Sequence, residues 1–471
     1  MSASSEPPPV VFPTIHHQFI IPFSGDPAHA AFPEIQERMI DNINFGTFTV
    51  KMPDSTHLPP SQPSHPTHWV LNIDRSGSMD EEFNGKTKME NVKHMLKNLI
   101  TYLKTLSTEE NPNYLTIIIF DHDVETVCEH LNLSSDEDVY DTYVKPIYAR
   151  GATNFERAFD EATRVINATG TTENVVQIFM TDGQITSGSK HIDTLVEKCE
   201  QSLTRSTDTS RSPPRVFFVG FGLDHNAMLM QELTDKIDLA QYYFVENIEN
   251  AGFVYGEIVN EIVKEFMHTI TISIQYGEIY NYLTNTWVHN LTIASFPVEV
   301  EKTFHIRMPL NQCFEQCCRS QDSGITRQEQ RSIKIEFRGT FSNHVSEAPE
   351  DFGEIRIHSR LLYHNIEYPN RYVEKFWWRQ GAQELLFETK NLLSKSSPAF
   401  VAPRGTLRDK LCGFLRKLKQ WRTEQDLEGD QFIQDLCDDI YTATQCLNTH
   451  TNRGYMFVNA RQTTQGSQRA Y

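Results

Sequence analysis

The chain has 471 residues and a formal net charge of −19, from 62 acidic and 43 basic side chains. This acidity argues against a general binder of nucleic acids or anionic membranes, and no apolar run approaches the roughly 20 residues of a membrane span. The length allows two or three domains. The amino-terminal segment lacks the basic and apolar parts of a secretory signal. We therefore expect a cytoplasmic or otherwise intracellular protein.

The amino-terminal segment gives two strands but no core of its own. Residues 1–12 are rich in Pro and Ser and are predicted to be disordered. His16–Phe23 and Phe45–Met52 read as strands, the second with polar and apolar residues in alternation. Residues 53–66, rich in Pro, Ser and His, read as a linker. The two strands must therefore pair with a later part of the chain.

Strands and helices alternate over residues 67–266. This order is typical of a doubly wound, mostly parallel sheet with helices on both faces, a Rossmann-like α/β fold. Ligands in such sheets bind beyond the carboxyl ends of the strands. The predicted strands are His68–Asp74, Tyr114–Phe120, Val124–Glu129, Val175–Thr181, Arg215–Phe221 and Gln241–Val245. The predicted helices are Lys86–Leu106, Phe155–Val165, Ile192–Leu203, Asn226–Lys236 and Ala251–Met267.

The pattern changes after residue 268. Residues 268–365 contain period-two segments separated by turns, which predicts an antiparallel β region. With the two early strands it has about seven strands, enough for a β-sandwich. We therefore predict one discontinuous sandwich, 13–55 and 268–365, into which the α/β domain is inserted. Residues 369–450 are predicted to form a helical region, and the polar residues 455–471 a flexible tail.

The loop after the first strand of the α/β domain carries oxygen side chains at alternate positions. Asp74, Ser76 and Ser78 can turn toward one point, and Thr153 and Asp182 occupy two further loops at the same edge of the predicted sheet. Mg²⁺ prefers oxygen ligands in near-octahedral geometry and keeps some of its water. The alternative is that these residues are ordinary caps and turn formers.

These five positions together resemble the metal-ion-dependent adhesion site of the von Willebrand factor A (VWA) family, an Asp-x-Ser-x-Ser loop followed by a Thr and an Asp. The resemblance implies Mg²⁺, with Mn²⁺ or Ca²⁺ possible. It implies that Ser76 and Ser78 bind the ion directly, Asp74 and Asp182 mostly through water, and Thr153 in either way. It also implies an open position that a partner's Asp or Glu carboxylate fills. In many family members the A domain is inserted into a β-sandwich, and its last helix shifts along the sheet.

Four nearby residues have weaker assignments. Glu81 and Glu82 match positions that bind a second, adjacent metal in integrin-type A domains, although acidic residues near a helix start are also favoured by the helix dipole. Arg75 and Gly151 flank the metal ligands and are candidates for contact with the partner.

The sequence favours a metal-dependent interaction module or scaffold without enzymatic activity. No nucleophile elbow, phosphate loop or dinucleotide fingerprint occurs, so catalysis would belong to a partner. Two other hypotheses stay open. One is a structural component of a large assembly such as a virus particle, and the other is a non-catalytic subunit of a ubiquitin-ligase or ATPase complex.

Overall fold

The computed structural model describes residues 13–19, 43–54, 66–83, 85–109, 111–168, 173–182, 185–203, 214–222, 225–237, 240–245, 248–274, 277–309, 334–341, 354–360, 371–394, 401–448 and 451–468. The predicted disordered segment 1–12 and most of the predicted linker lie outside these ranges. Among the described helices, none has the length and apolar character needed to cross a membrane.

The chain begins with strands β1 (Thr14–Phe19) and β2 (Ile43–Lys51), which pair antiparallel. The α/β region follows. Its strands are β3 (Thr67–Asp74), β4 (Glu82–Phe83), β5 (Lys86–Thr87), β6 (Asn113–Phe120), β7 (Val124–Asn132), β8 (Asn174–Thr181), β9 (Arg215–Phe221) and β10 (Ala240–Val245). Its helices are α1 (Lys88–Leu106), α2 (Phe155–Ala168), α3 (Ile192–Leu203), α4 (Ala227–Lys236) and α5 (Ile248–Val263).

The central sheet has the strand order β10-β9-β8-β3-β6-β7, and only β7 runs antiparallel to its neighbour. Apolar side chains line both of its faces. Leu71 and Ile73 pack with residues of α1 and α5, while Phe179 and Phe218 pack with residues of α2, α3 and α4. The chain passes from β3 to β6 on one side and later to β8 on the other. The switch point therefore lies beside β3, where such sheets bind ligands.

The antiparallel region forms two further sheets. After α5 come β11 (Glu265–Ile274), β12 (Glu278–Asn281), β13 (Thr286–Val288), β14 (Asn290–Pro297), β15 (Glu301–Pro309), β16 (Lys334–Phe341) and β17 (Glu354–Arg360). The sheet orders are β1-β2-β15-β12-β13 and β14-β11-β16-β17. Phe48 from the first sheet and Phe296 and Phe337 from the second share one buried core. The early strand β2 thus completes a sheet with the late strand β15.

The junction between α5 and β11 differs from the prediction. The helix was expected over Ala251–Met267, but it ends at Val263 and β11 begins at Glu265. The buried Arg215 of β9 explains the change of structure. Its guanidinium forms ion pairs with Glu261 of α5, at 3.3 Å, and with Glu265 of β11. These ion pairs favour a chain that turns from the helix into the sandwich strand at this point.

Four helices form the carboxyl-terminal region: α6 (Arg371–Ser394), α7 (Val401–Glu424), α8 (Gln431–Cys446) and α9 (Thr451–Ser467). The prediction of a flexible tail over 455–471 is wrong as far as residue 467. Tyr455 and Met456 are buried, and the polar side chains that suggested a solvated tail bind inside the molecule. Gln465 donates to Asp439 of α8 at 2.8 Å, and Gln462 donates to the carbonyl of Tyr282 at 2.6 Å.

The predicted fold class is confirmed. The structure has a doubly wound, mostly parallel sheet, antiparallel strands from both sides of the α/β region that pack as a sandwich, and a carboxyl-terminal helical region. The exact domain limits stay predictions.

Candidate metal centre

Two carboxylates lie at the carboxyl ends of neighbouring strands. Asp74 is the last residue of β3, and Asp182 directly follows β8, which is paired with β3. Both side chains are buried, Asp74 completely. The predicted ligands from two distant parts of the sequence therefore meet beside the switch point of the sheet, as the pattern of strands predicted.

Backbone hydrogen bonds fix the loop that follows β3. The amide of Arg75 donates to the carbonyl of Phe120, the last residue of β6, at 2.8 Å. The amide of Gly77 donates to the carbonyl of Gly151 at 3.0 Å. The loop is thus held by backbone hydrogen bonds against the loops that follow β6 and precede α2.

Side-chain oxygens of this loop form a continuous hydrogen-bonded group. Asp74 accepts from the amide of Ser76 at 2.8 Å and from the hydroxyl of Thr181 at 2.6 Å. The hydroxyls of Ser76 and Ser78 lie 3.1 Å apart, and that of Ser78 donates to Asp182 at 2.9 Å. Four of the five predicted ligands therefore converge, and Thr181 joins them as an additional donor to Asp74.

The fifth predicted ligand, Thr153, lies in the neighbouring loop and is buried. Its amide donates to the hydroxyl of Thr186 at 2.8 Å, and its carbonyl accepts from the amides of Thr186 and Ser187. Gly151, two residues earlier, has a φ of +74°, and a Cβ there would lie 2.5 Å from Nδ1 of His122. Gly151 is therefore needed for the loop to reach Gly77, while its contact with a partner stays a prediction.

The electrostatics of the site favour a cation. Burial, and after it the nearby Asp182, raises the pKa of Asp74 to about 7 against the opposing hydrogen bonds from Thr181 and Ser76. A carboxyl group whose ionised form is this unfavourable would be stabilised by a positive charge placed between the two aspartates. The donors are hydroxyl and carboxylate oxygens, which fit Mg²⁺ and the chemically similar Mn²⁺.

One positive charge of the protein itself contacts the site. The ammonium of Lys88 lies 2.7 Å from Oδ2 of Asp182 and 2.7 Å from Oε2 of Glu81. Burial alone would lower the pKa of Lys88, but hydrogen bonds to these two carboxylates raise it. A capping box between Thr87 and Glu90 starts α1 at Lys88 and fixes its backbone. Sequence reasoning missed Lys88, because a lysine at a helix start normally lies in solvent.

Glu81 and Glu82, the predicted ligands of a second metal, have different surroundings. The carboxylate of Glu81 accepts from Lys88, so a side-chain ammonium occupies the position beside it. Glu82 is exposed in the short strand β4 and pairs in register with Thr87. Their binding of a second ion stays a prediction, and Lys88 would compete with that ion for Glu81.

Arg75 is buried and its charge is engaged. Its guanidinium donates to Asp121 at 3.1 Å and to Glu125 at 3.1 Å. Asp121 also accepts from Arg150 at 2.9 Å and from the amide of Asp123 at 2.6 Å. Burial would raise the pKa of Asp121, but these hydrogen bonds lower it. Arg75 therefore supports the loops through Asp121, and it would reach a partner only by leaving these contacts.

Comparison with known proteins bears on the central region. Residues 69–184 match the family model of the von Willebrand factor type A domain, and together with the sheet topology this identifies the VWA fold in that part of the chain. No curated protein matches the chain.

Several solved structures are similar at low identity. A von Willebrand factor type A protein from Catenulispora acidiphila is 13% identical over 75% of this chain and 77% of that chain, with a TM-score of 0.46. The pilus adhesin SpaC from Lactobacillus rhamnosus GG, in its open conformation, is 13% identical with a TM-score of 0.36. Its match covers 67% of this chain but only 45% of SpaC. The PilB minor pilin from Streptococcus sanguinis is 13% identical over 53% of this chain and 78% of that chain, with a TM-score of 0.36.

Proposed function

We propose that this protein is a non-catalytic interaction module that binds a partner protein through a divalent cation at the Asp74 site. The observation that carries the proposal is the convergence of Asp74, Ser76, Ser78 and Asp182 at the carboxyl edge of the central sheet. The buried carboxylates of Asp74 and Asp182 are linked through the hydrogen-bonded Ser76 and Ser78, and Lys88 contacts Asp182 but not Asp74.

The family resemblance gives each residue a role at the bound ion. Ser76 and Ser78 would hold Mg²⁺ through their hydroxyls, Asp74 and Asp182 mostly through water, and Thr153 directly or through water. When bound, the ion supplies a Lewis-acidic position that an Asp or Glu carboxylate of the partner completes. We propose no binding of nucleic acid and no reaction at this site.

The metal half of the proposal is tested by calorimetric titration of Mg²⁺ and Mn²⁺ into the full chain. Asp74→Ala should weaken binding at least about 100-fold, while Asp136→Ala, at an exposed acidic residue of a distant loop, should bind like the wild type. Thermal unfolding of both variants in chelator checks that the domain remains folded. Equal binding by the wild type and Asp74→Ala would refute the site.

The partner half is tested by capture from native lysate on the immobilised full chain. Specific proteins should be retained in Mg²⁺, lost in chelator and lost on Asp74→Ala, and kept on Asp136→Ala. Excess sodium acetate should compete with them if a carboxylate completes the ion. If the same proteins were retained in chelator and on Asp74→Ala, the metal site would have no role in their recognition. Self-assembly of the pure protein in Mg²⁺ would instead favour the structural-component hypothesis.

A further inference from the structure

A second group of metal-ligating side chains lies at the opposite end of strand β3. His68 is the second residue of this strand and Asp74 is the last, and at about 3.3 Å per residue the two are about 20 Å apart. His68, His130 of β7 and Glu173, which directly precedes β8, bring their ligand atoms within 4.8 Å of one another. Three separate segments of the chain therefore contribute one ligand each.

The distances in this cluster bracket those of a metal site. Nε2 of His130 lies 2.9 Å and 3.0 Å from the two oxygens of Glu173, and Nδ1 of His68 lies 4.0 Å from Oε2 of Glu173. Ligands placed tetrahedrally about 2.0–2.1 Å from Zn²⁺ are separated from each other by about 3.3 Å. The observed separations of 2.9–3.0 Å and 4.0 Å lie on either side of that spacing.

The other nitrogen of His68 is held by a residue suited to a supporting role. Nε2 of His68 lies 2.8 Å from the hydroxyl of Thr116, which turns Nδ1 toward Glu173. Metal-bound histidines characteristically donate their second N–H to an oxygen, which fixes the tautomer and the ring orientation. His68 is completely buried, so its ring has little freedom to leave this arrangement.

His130 is directed at the cluster by an irregular backbone. The register between β6 and β7 shifts between Leu115 and Ile117, and His130 has a φ of 49°. Its amide donates to Thr116 at 2.9 Å, and its ring stacks on Tyr114 with centroids 4.0 Å apart. A bulge of this kind re-aims a side chain at the cost of regular pairing. Here it directs the ring of His130 at Glu173.

We propose that His68, His130 and Glu173 form a site for Zn²⁺ or another divalent transition ion that prefers imidazole. Two imidazoles and one carboxylate are a known zinc ligand set that leaves the fourth position for water or an external ligand. The side chain of His130 is one third exposed, which gives the ion and that ligand a way in from solvent. Mg²⁺, which prefers oxygen, belongs at the Asp74 site and not here.

The test uses Co²⁺ and Zn²⁺ on the full chain carrying Asp74→Ala, so that the oxygen site does not contribute. Co²⁺ should give the visible absorption of a four-coordinate nitrogen-containing site, and Zn²⁺ should abolish it. Adding His130→Ala, or separately Glu173→Gln, should remove one equivalent of bound Zn²⁺ and lower the affinity at least about 10-fold. His94→Ala, at an exposed histidine of α1, is the control and should change neither.

Both variants avoid the buried His68, and their thermal unfolding without metal shows whether they fold. Loss of one Zn²⁺ equivalent in folded His130→Ala and Glu173→Gln, with His94→Ala unchanged, supports the site. The same Zn²⁺ stoichiometry and Co²⁺ spectrum in all variants would overturn it, and the three residues would then be a hydrogen-bonded cluster only. Because Asp74→Ala is the background throughout, neither result depends on the proposed Mg²⁺ function.

Discussion

The two ends of the central sheet are built from different chemistry. At the carboxyl end, a short loop and two neighbouring strands gather hydroxyls and the carboxylates of Asp74 and Asp182, with Lys88 as a partial counter-charge. At the amino end, the buried Arg215 joins the sheet to the sandwich through Glu261 and Glu265. The carboxyl end carries an excess of negative charge that a bound cation would relieve, whereas both carboxylates of the Arg215 junction contact a guanidinium of the protein itself.

The two ends therefore differ in how their charges affect the free energy of folding. A buried carboxylate pair without a full counter-charge costs folding free energy, and a bound cation would recover part of that cost. A buried ion pair between domains stabilises the fold little more than an apolar contact would. Removing one partner is nevertheless strongly destabilising, because the other charge stays buried without compensation. Substitutions at the Arg215 junction should therefore destabilise the protein, while some at the carboxyl end should stabilise the metal-free form.

The largest expected effect is at Arg215. Arg215→Met leaves the carboxylates of Glu261 and Glu265 without their guanidinium in a buried junction, and should lower the free energy of unfolding by about 3–5 kcal/mol. Urea denaturation measures it. The matched control is Arg164→Met, at a half-exposed arginine that pairs with Glu129 and Glu161. It should cost no more than about 1 kcal/mol. An equal loss of unfolding free energy in both variants would contradict the claim that the buried Arg215 junction matters more than a surface ion pair.

The next effect has the opposite sign. The pKa of Asp74 is raised from 3.8 to about 7 by burial and by Asp182. The contribution of Asp74 to stability is therefore fully present below about pH 4, where the carboxyl group is protonated in both states, and it is lost as the pH rises through about 7, by up to about 4 kcal/mol for a shift of this size. In chelator, Asp74→Asn should recover about 1–3 kcal/mol at pH 8 and less at pH 5.

Thermal unfolding of wild type and Asp74→Asn at both pH values checks this expectation. The same titration in excess Mg²⁺ should reverse the order at pH 8, because only the wild type gains stability from the ion. A metal-free Asp74→Asn that is less stable than the wild type at pH 8 would mean that the carboxylate pair is already compensated by the protein.

A smaller effect is expected at Lys88. Lys88→Met removes the ammonium from Asp182 and Glu81, so the site becomes more negative and should bind Mg²⁺ about tenfold more tightly, roughly 1.4 kcal/mol. Lys86→Met, at an exposed lysine of β5, removes the same charge without touching Asp182 and serves as the control. Calorimetric titration distinguishes the two. Weaker binding by Lys88→Met would show that the lysine positions Asp182 more than it competes with the ion.

Sequence patterns predicted which residues meet at the carboxyl end because one loop and the order of the strands suffice to place them. Asp74, Ser76 and Ser78 lie in one loop, and the strand pattern alone places Asp182 at the same edge of the sheet. The sequence also predicted that the two early strands pair with a later part of the chain, because two isolated strands cannot form a core. The contact of Lys88 with Asp182 could not be predicted from the sequence, because only the folded loop brings the ammonium to that carboxylate.

The cluster of His68, His130 and Glu173 at the amino end was not predicted, because its residues are far apart in sequence. No spacing links His68, His130 and Glu173, and the bulge that directs His130 depends on how β6 and β7 pair. Helix α9 was missed for a related reason. Its glutamines and asparagines look like solvent-exposed residues, but Asn459 donates to Gln231 of α4 at 3.0 Å. Tertiary partners decide whether such polar residues are buried.

The smallest expected effect tests whether the two ends communicate. The family resemblance implies that the last helix, here α5, shifts along the sheet when the metal changes its coordination. In this structure Glu261 of α5 accepts from Gln241 at 2.7 Å and from Ser295 at 3.0 Å, besides its ion pair with Arg215. These contacts tie the end of the helix to both domains.

Glu261→Gln keeps the shape of the side chain but removes its charge, and Arg215 retains Glu265. We expect a loss of about 0.5–1.5 kcal/mol in the free energy of unfolding, and a Mg²⁺ affinity within about twofold of the wild type. Denaturation and calorimetric titration of the same preparation give both quantities. A static helix predicts this independence, because no element with two packed states connects the sites. If Glu261→Gln changed the Mg²⁺ affinity several-fold, α5 would be such an element, and the ends of the sheet would be coupled through it.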